Sequence, residues 1–130
     1  MFHINEKDAP VKENACGKRG RSIRLVNQSI GSESVDFHIN IIRPNTGLGP
    51  YHHHSNSDNL YFVLEGQASV LVEGKEVTAG PGEVVWIPRG EKHDVVNIGK
   101  GDLRLIEVKT PAESDFIIAN HPTDGRRYEL

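Results

Sequence analysis

The sequence has little of what marks secreted, membrane-spanning or nucleic-acid-binding proteins. Its single cysteine, Cys16, has no partner for an intramolecular disulfide. No apolar run approaches the roughly 18 residues of a membrane span, and the first ten residues lack the cationic start and apolar core of a signal peptide. The formal net charge is −3 and the charges are dispersed, so neither nucleic acid nor a membrane is expected as a partner. We therefore expect a cytoplasmic protein.

Helical periodicity is also missing, whereas glycine and proline recur throughout the chain. A chain of 130 residues is expected to form one domain. Short β-type segments recur at intervals of roughly 8–12 residues, which is typical of an all-β sandwich or barrel. These segments lie at residues 22–26, 35–43, 60–64, 69–73, 75–78, 83–87, 93–98 and 103–109. The first twenty residues are expected to form an arm or loop, and one helical turn is expected near residues 112–116.

The segment at residues 35–43 alternates apolar and polar side chains and therefore predicts a strand with two different faces. His38 and Asn40 share the more polar face, which is either solvated or lines a cavity. A tight hairpin is predicted at Gly74. Trp86 is expected to pack in the core, and His121 is expected at the surface.

Four histidines stand in two patterned stretches of the sequence. His52 and His54 are two residues apart, so on a β-strand they point to the same face. His53 between them points to the opposite face and is not expected to be a ligand. His93 lies in a second Gly- and Pro-rich stretch, and neutral imidazole is the commonest metal ligand among protein side chains.

These two stretches resemble the two conserved motifs of the cupin superfamily. The second motif, Gly-x5-Pro-x-Gly-x2-His-x3-Asn, is matched at all five fixed positions, which are Gly82, Pro88, Gly90, His93 and Asn97. The first motif, Gly-x5-His-x-His-x3or4-Glu-x6-Gly, is matched by its two histidines and by Gly66. The resemblance covers about residues 35 to 108.

The first motif departs from the cupin pattern in two places. Gly47 lies one residue too close to His52, and the glutamate position holds Asn59 or, counted from His54, Asp58. By register Asn59 faces inward with Tyr61, whereas Asp58 carries the stronger ligand and a local bulge would be needed to present it. We favour a three-histidine site with Asn59 as a weak or outer ligand.

The resemblance implies a double-stranded β-helix, a jelly-roll barrel with a metal inside its mouth. We expect this cupin barrel to span residues 35–109, with an N-terminal arm and first strand at 1–34 and a C-terminal tail at 110–130. The expected ligands are His52, His54, His93 and Asn59, and the expected cofactor is a divalent iron, manganese, nickel or zinc ion.

The expected function is that of a small metal-dependent enzyme acting on a small polar molecule. Its chemistry would be either oxygen activation or Lewis-acid assistance to isomerisation or elimination. A binding or sensing module without catalysis is the alternative, since a fold alone does not determine a function. As in many cupins of this size, we expect a homodimer.

Overall fold

Two antiparallel sheets face each other in the computed structural model, which describes residues 1–14 and 18–128. Cys16 lies outside these residues. Short 3₁₀ turns occur at Glu6–Asp8 and Gln28–Ile30, and the described residues contain no α-helix. The strands are β1 (Val11–Glu13), β2 (Gly20–Val26), β3 (Asp36–Ile42), β4 (His52–His53), β5 (Asp58–Glu65), β6 (Ala68–Val72), β7 (Lys75–Ala79), β8 (Val84–Ile87), β9 (His93–Asn97), β10 (Leu103–Thr110) and β11 (Ile117–Ile118). The all-β prediction is confirmed.

The larger sheet has six strands in the order β1-β2-β3-β10-β5-β8, and the smaller has five in the order β11-β4-β9-β6-β7. The main core lies between the sheets and holds apolar side chains from both of them. Its members are Ile42, Tyr61, Val63, Ala68, Val70, Ala79, Ile87, Val95, Leu103 and Leu105. They fill one end of the barrel, and the interior of the other end is polar.

Strand β3 has the two faces that its alternation predicts, and its polar face is the interior one. His38 and Asn40 share a face with the core residue Ile42 and line the cavity. Ile39 and Ile41 lie on the outer face, where they form a second apolar cluster with Ala9 and Ile23. The N-terminal segment covers this outer face, whereas the polar residues of β3 face the cavity.

Three expectations about the strands, turns and core are wrong in detail. Residues 11–13 form strand β1 against β2, inside the segment expected to be a loop. No helical turn forms near residues 112–116, and the chain continues instead into β11, which pairs with β4. Trp86 is 60% exposed on the outer face of edge strand β8, so it is not a core residue.

The predicted hairpin at Gly74 joins β6 to β7. Its two turn residues, Glu73 and Gly74, have φ angles of 48° and 78°. Positive φ at both positions is the signature of a type I′ turn, whose twist matches that of the flanking strands.

Candidate metal centre

The three histidines of the two motifs meet inside the barrel, on the smaller sheet. His52 on β4 pairs directly with His93 on β9, and His54 follows β4 on the same side of the chain as His52. All three are buried, and their candidate ligand nitrogens lie within 4.8 Å of one another. The three imidazoles are therefore close enough together to bind one metal ion.

Each imidazole is oriented by a hydrogen bond from its Nδ1–H to a backbone carbonyl. His52 donates to Pro50 over 2.8 Å, His93 donates to Glu91 over 2.9 Å, and His54 donates to Asp115. Because Nδ1 carries the proton, the lone pair of each ring is on Nε2. The Nε2 atoms of His54 and His93 are buried and have no hydrogen-bond partner among the described residues.

The environment keeps the three imidazoles neutral. Burial lowers the pKa of His93 from 6.5 to about 4. Burial, together with the neighbouring His93, holds the pKa of His52 well below its usual value, and burial also lowers the pKa of His54. A metal ion binds the neutral ring, so the histidines do not have to lose a proton at neutral pH to become ligands.

Asn59 enters the interior from β5 on the larger sheet and is only 1% exposed. Its Nδ2 donates to Oε2 of Glu107 over 2.8 Å, and its Oδ1 has no hydrogen-bond partner in the described chain. A carboxylate only accepts hydrogen bonds, so it selects the amide nitrogen and leaves the oxygen free. Asn59 therefore presents an available oxygen on the interior face.

Asp58 lies on the other face of β5. Its Oδ1 accepts hydrogen bonds from the backbone N–H and from Nε of Arg89, each over 3.1 Å. These bonds with Arg89 lower the pKa of the Asp58 carboxyl. β5 pairs with β8 through residues 59–62 without a register shift, and no bulge turns Asp58 inward.

Glu107 on β10 is the residue that fixes Asn59. Its Oε1 accepts hydrogen bonds from His38 over 2.8 Å and from Asn40 over 2.7 Å. Burial alone would raise the pKa of Glu107, but the charges of His38 and Lys109 hold it well below its usual value. Glu107 is therefore an ionised carboxylate with donors on both oxygens.

His38 is the positive counterpart of this carboxylate. One ring nitrogen contacts Glu107, and the other, Nδ1, lies 2.8 Å from Oδ1 of Asp36. Burial would lower the pKa of His38, but Glu107 and Asp36 raise it above its usual value. His38 thus differs from the three neutral histidines although all four are buried.

A cavity of about 520 Å³ opens onto His52 and His54. Phe116, just before β11, stacks on the ring of His52 with a centroid separation of 4.1 Å and an angle of 17° between the planes. The C-terminal segment therefore supplies an aromatic wall to the cavity. The sequence reasoning missed this residue.

The segment around His121 is held to β9 beside the site. His121 is only 2% exposed, contrary to expectation, and its Nε2 lies 3.0 Å from Oδ2 of the buried Asp94. Asp94 also accepts a hydrogen bond from the backbone N–H of Gly49 over 2.9 Å and lies 3.7 Å from Arg19. Arg19 from the N-terminal part of the chain and His121 from the C-terminal part thus both contact β9, the strand that carries His93.

The donor set suits a first-row divalent ion. Imidazole nitrogens and an amide oxygen are ligands for zinc, iron, nickel and manganese, and they bind at about 2.0–2.2 Å. The unpartnered atoms on His54, His93 and Asn59 are of the kinds that such an ion requires. Fold and site together define a β-barrel protein with a candidate three-histidine metal centre.

The chain belongs to the cupin domain family, whose model matches residues 39–109. An uncharacterized protein of Streptomyces coelicolor is 37% identical over 113 residues, which are 87% of this chain and 97% of that protein. Mannose-1-phosphate guanylyltransferase ManC of Salmonella typhimurium is 32% identical over 87 residues, or 65% of this chain. The match covers only 18% of that enzyme.

Among solved structures, the polyketide cyclase RemF from Streptomyces resistomycificus superposes with a TM-score of 0.79 and 25% identity. The superposition covers 96% of this chain and 89% of RemF. KdgF from Halomonas sp. superposes with a TM-score of 0.72 at 18% identity, over 87% of this chain and 94% of that chain, and supports the fold alone. The expected double-stranded β-helix is confirmed. No helix of the described residues is long and apolar enough to cross a membrane.

Glu107 was not predicted as a site residue because the first cupin motif expects a carboxylate at the position of Asn59. A signal was nevertheless present in the sequence of β10. Leu103, Leu105 and Glu107 share one face of the strand, and both leucines are fully buried. A carboxylate that continues a buried apolar row must have partners inside, so it is a candidate for a functional role.

Proposed function

We propose that this chain is a metal-dependent enzyme that acts on a small polar carbonyl compound, with a divalent ion held by His52, His54, His93 and Asn59. The observation that carries the proposal is that three buried atoms of the proposed ligands, Nε2 of His54, Nε2 of His93 and Oδ1 of Asn59, have no hydrogen-bond partner in the described chain. An unsatisfied buried polar atom costs about 1–3 kcal/mol. A bound ion would satisfy all three.

The proposed ligands are all neutral, and this supports one of the two kinds of chemistry expected from the sequence. A divalent ion keeps its full charge with such ligands and, when bound, supplies Lewis-acid polarisation of a substrate carbonyl. We therefore favour isomerisation, cyclisation or elimination over oxygen activation. Glu107 supports this role by fixing the amide of Asn59.

The surroundings of the site also suit a small organic substrate. Phe116 covers one face of His52 and limits the access of water from that side. The cavity of about 520 Å³ lies within the usual range for small-molecule sites. RemF, similar to this chain over nearly its whole length, is named a polyketide cyclase, and this similarity supports a reaction at a carbonyl group.

The proposal is tested by hydrogen–deuterium exchange next to a carbonyl group. A panel of small ketones and keto acids is incubated without oxygen in D₂O with protein loaded with zinc or manganese, and loss of the α-proton signals is followed by NMR. We expect at least one compound to exchange faster with the loaded protein than with chelator-treated protein or with the His54→Ala variant. Equal rates in all three samples would contradict the proposed chemistry.

The other expected functions give different results in this assay or in its repetition in air. A binding or sensing module would perturb the NMR signals of a compound without accelerating its exchange. An oxygenase would consume oxygen in air together with a compound and would prefer iron. Either result would replace the Lewis-acid proposal.

We also propose a homodimer, formed through the outer face of β5 and β8. Phe62 and Leu64 on β5 and Val84 and Trp86 on β8 are exposed apolar side chains, and the pairing Phe62↔Val84 places two of them side by side. Strand β8 is an edge of the six-stranded sheet. An exposed apolar patch of this kind is typical of a protein interface, and a second copy of the same patch would cover it.

A further inference from the structure

The cavity differs in charge from the molecule as a whole. The chain has a formal net charge of −3. With histidines counted as neutral in both cases, the described cavity lining contains five cationic side chains against three carboxylates, so its formal net charge is +2 before any metal ion is bound. The cations are Lys12, Arg19, Arg21, Arg24 and Lys109, and the carboxylates are Glu13, Asp94 and Glu107.

Strand register separates these cations into two groups. Lys12 pairs with Ser22, Arg24 pairs with His38, and Lys109 pairs with Asn59. Directly paired residues project from the same face of a sheet, and His38 and Asn59 are interior residues. Lys12 follows the same face because its partner Ser22 pairs with the interior residue Asn40. These three cations therefore lie on the cavity face.

The other two cations have different places. Arg19 already has partners within the protein, since it contacts Asp94 at 3.7 Å and donates a hydrogen bond to the backbone carbonyl of Gly47 over 3.1 Å. Arg21 pairs with Ile41, which belongs to the apolar cluster on the outer face. Neither is required for the subsite described next.

Two of the three cavity-face cations have no carboxylate partner among the described residues, and the third, Arg24, has one. Lys12 and Lys109 form no salt bridge with any residue in the described part of the chain. Arg24 contacts Asp36 through Nη2 at 3.1 Å, and its Nη1 lies 3.4 Å from Oγ of Ser22. The charge of Lys109 also contributes to lowering the pKa values of Glu107, Asp36, His54 and His93. Its ammonium group therefore acts on the centre of the site.

We propose that Lys12, Arg24 and Lys109 form a subsite for an oxyanion, so that the substrate carries a carboxylate or a phosphate group. The substrate role of this anion rests on the proposed function; the binding of the anion does not. An anion in this position would neutralise Lys12 and Lys109, which have no carboxylate partner among the described residues, and would share Arg24 with Asp36. Because Lys109 lies beside Asn59 in the sheet, it would hold the anionic end of the substrate next to the candidate metal centre.

Calorimetric titration of metal-free protein tests the subsite without involving the ion. Chelator-treated protein is titrated at pH 7.5 and low salt with inorganic phosphate and, separately, with succinate. We expect measurable binding of at least one anion, weakened about tenfold in Lys109→Gln, because one charge-assisted hydrogen bond is worth about 1.5 kcal/mol. Tighter binding of phosphate would indicate a phosphorylated substrate, and tighter binding of succinate would indicate a carboxylate.

Two further variants keep the test independent of folding. Lys12 is exposed, so the Lys12→Gln variant should fold normally. Its affinity for the same anion should fall by a smaller factor than that of Lys109→Gln. Lys75→Gln removes a lysine from β7 on the other sheet and should leave anion binding unchanged. No binding to the parent protein, or equal affinity in the Lys109→Gln, Lys12→Gln and parent proteins, would overturn the subsite.

Metal content is measured on the same variants after reloading. Lys109→Gln should take up as much metal as the parent protein. A protein that loads metal but binds no anion would contradict the subsite and leave the proposed function intact. A protein that binds the anion but loads no metal would contradict the proposed function instead.

Discussion

Asn59 occupies the position at which the cupin motif has a glutamate, and its amide is oriented by a carboxylate from a neighbouring strand. Glu107 accepts from Nδ2 and leaves Oδ1 without a partner. The motif would place a carboxylate at position 59 itself. Here the carboxylate is that of Glu107, which contacts the side chain of Asn59. The histidine site keeps a neutral set of candidate ligands, and the negative charge stays paired with His38.

Replacement of Asn59 and replacement of Asp58 should affect metal affinity to different extents. Asn59→Ala removes the interior oxygen and should weaken metal affinity about tenfold or more, on the order of the loss expected for a weak ligand or its support. Asp58→Ala removes a carboxylate that contacts Arg89 on the other face and should leave affinity unchanged. Competition with a fluorescent chelator measures both, and a larger effect of Asp58→Ala would contradict the assignment.

The pH dependence of the site follows from the neutral histidines. In metal-free protein, NMR should detect titration of His93 at about pH 4 rather than 6.5, and of His52 and His54 below 6.5. Metal affinity should therefore change little between pH 7.5 and 6. Loss of most of the affinity in that interval would contradict the buried, neutral state of these rings.

The same shifts contribute to stability with a definite sign. Unfolded histidines take up protons near pH 6.5 while the three folded ones remain neutral. Their contribution to stability is therefore complete above pH 6.5 and is lost as the pH falls toward the folded pKa values. His38, whose pKa is raised, contributes in the opposite sense: its share is present below pH 6.5 and is lost as the pH rises through its folded pKa.

The clustering of His52, His54 and His93 could be predicted from the sequence because strand alternation and motif spacing are local properties. His52 and His54 needed only a strand, and His93 needed only the second motif. Glu107 could not be assigned in this way, because its partners His38, Asn40 and Asn59 come from two other strands. Contacts between strands far apart in sequence depend on sheet order, which one sequence does not specify.

At the scale of elements, the two ends of the chain were the least predictable parts. Strand β1 has only three residues, all of them exposed, and β11 has two. Neither is long enough to produce a recognisable alternation. Each is instead defined by its pairing with a neighbouring strand, β2 for the first and β4 for the second.

The attachment of the C-terminal segment should be visible in stability. His121→Ala leaves the buried Asp94 without one of its partners, and we expect it to lower the free energy of unfolding by about 1–3 kcal/mol. His3→Ala, at an exposed histidine, is the matched control and should have little effect. Denaturant unfolding of metal-free protein measures both, and equal stabilities would contradict a structural role for the contact.

At the scale of the whole molecule, the two sheets carry different parts of the candidate site. The smaller sheet carries the three histidines, and the larger sheet carries Asn59, Glu107 and the three cations of the proposed anion subsite. The apolar end of the barrel holds the sheets together, and the polar end is open to the cavity. The three candidate histidine ligands and the proposed anion subsite thus lie on opposite walls of one barrel, with Asn59 beside the subsite.

The proposed homodimer makes a prediction at this scale. Trp86→Glu places a charge on the outer apolar face and should convert a dimer to a monomer, as measured by light scattering during size-exclusion chromatography. Val77→Glu, at an exposed apolar residue on β7 of the other sheet, is the matched control and should remain dimeric. A monomeric parent protein, or a dimer that survives Trp86→Glu, would contradict this interface.

The central claim is that the three histidines hold a metal ion, and elemental analysis of purified protein tests it most directly. The parent protein is purified without added metal or chelator and compared with His54→Ala and with His53→Ala, which alters the neighbouring histidine on the opposite strand face. We expect nearly one equivalent of iron, manganese, nickel or zinc in the parent and in His53→Ala, and almost none in His54→Ala. A parent protein that stays empty after incubation with each metal, or a His54→Ala variant that keeps a full equivalent, would contradict the metal centre.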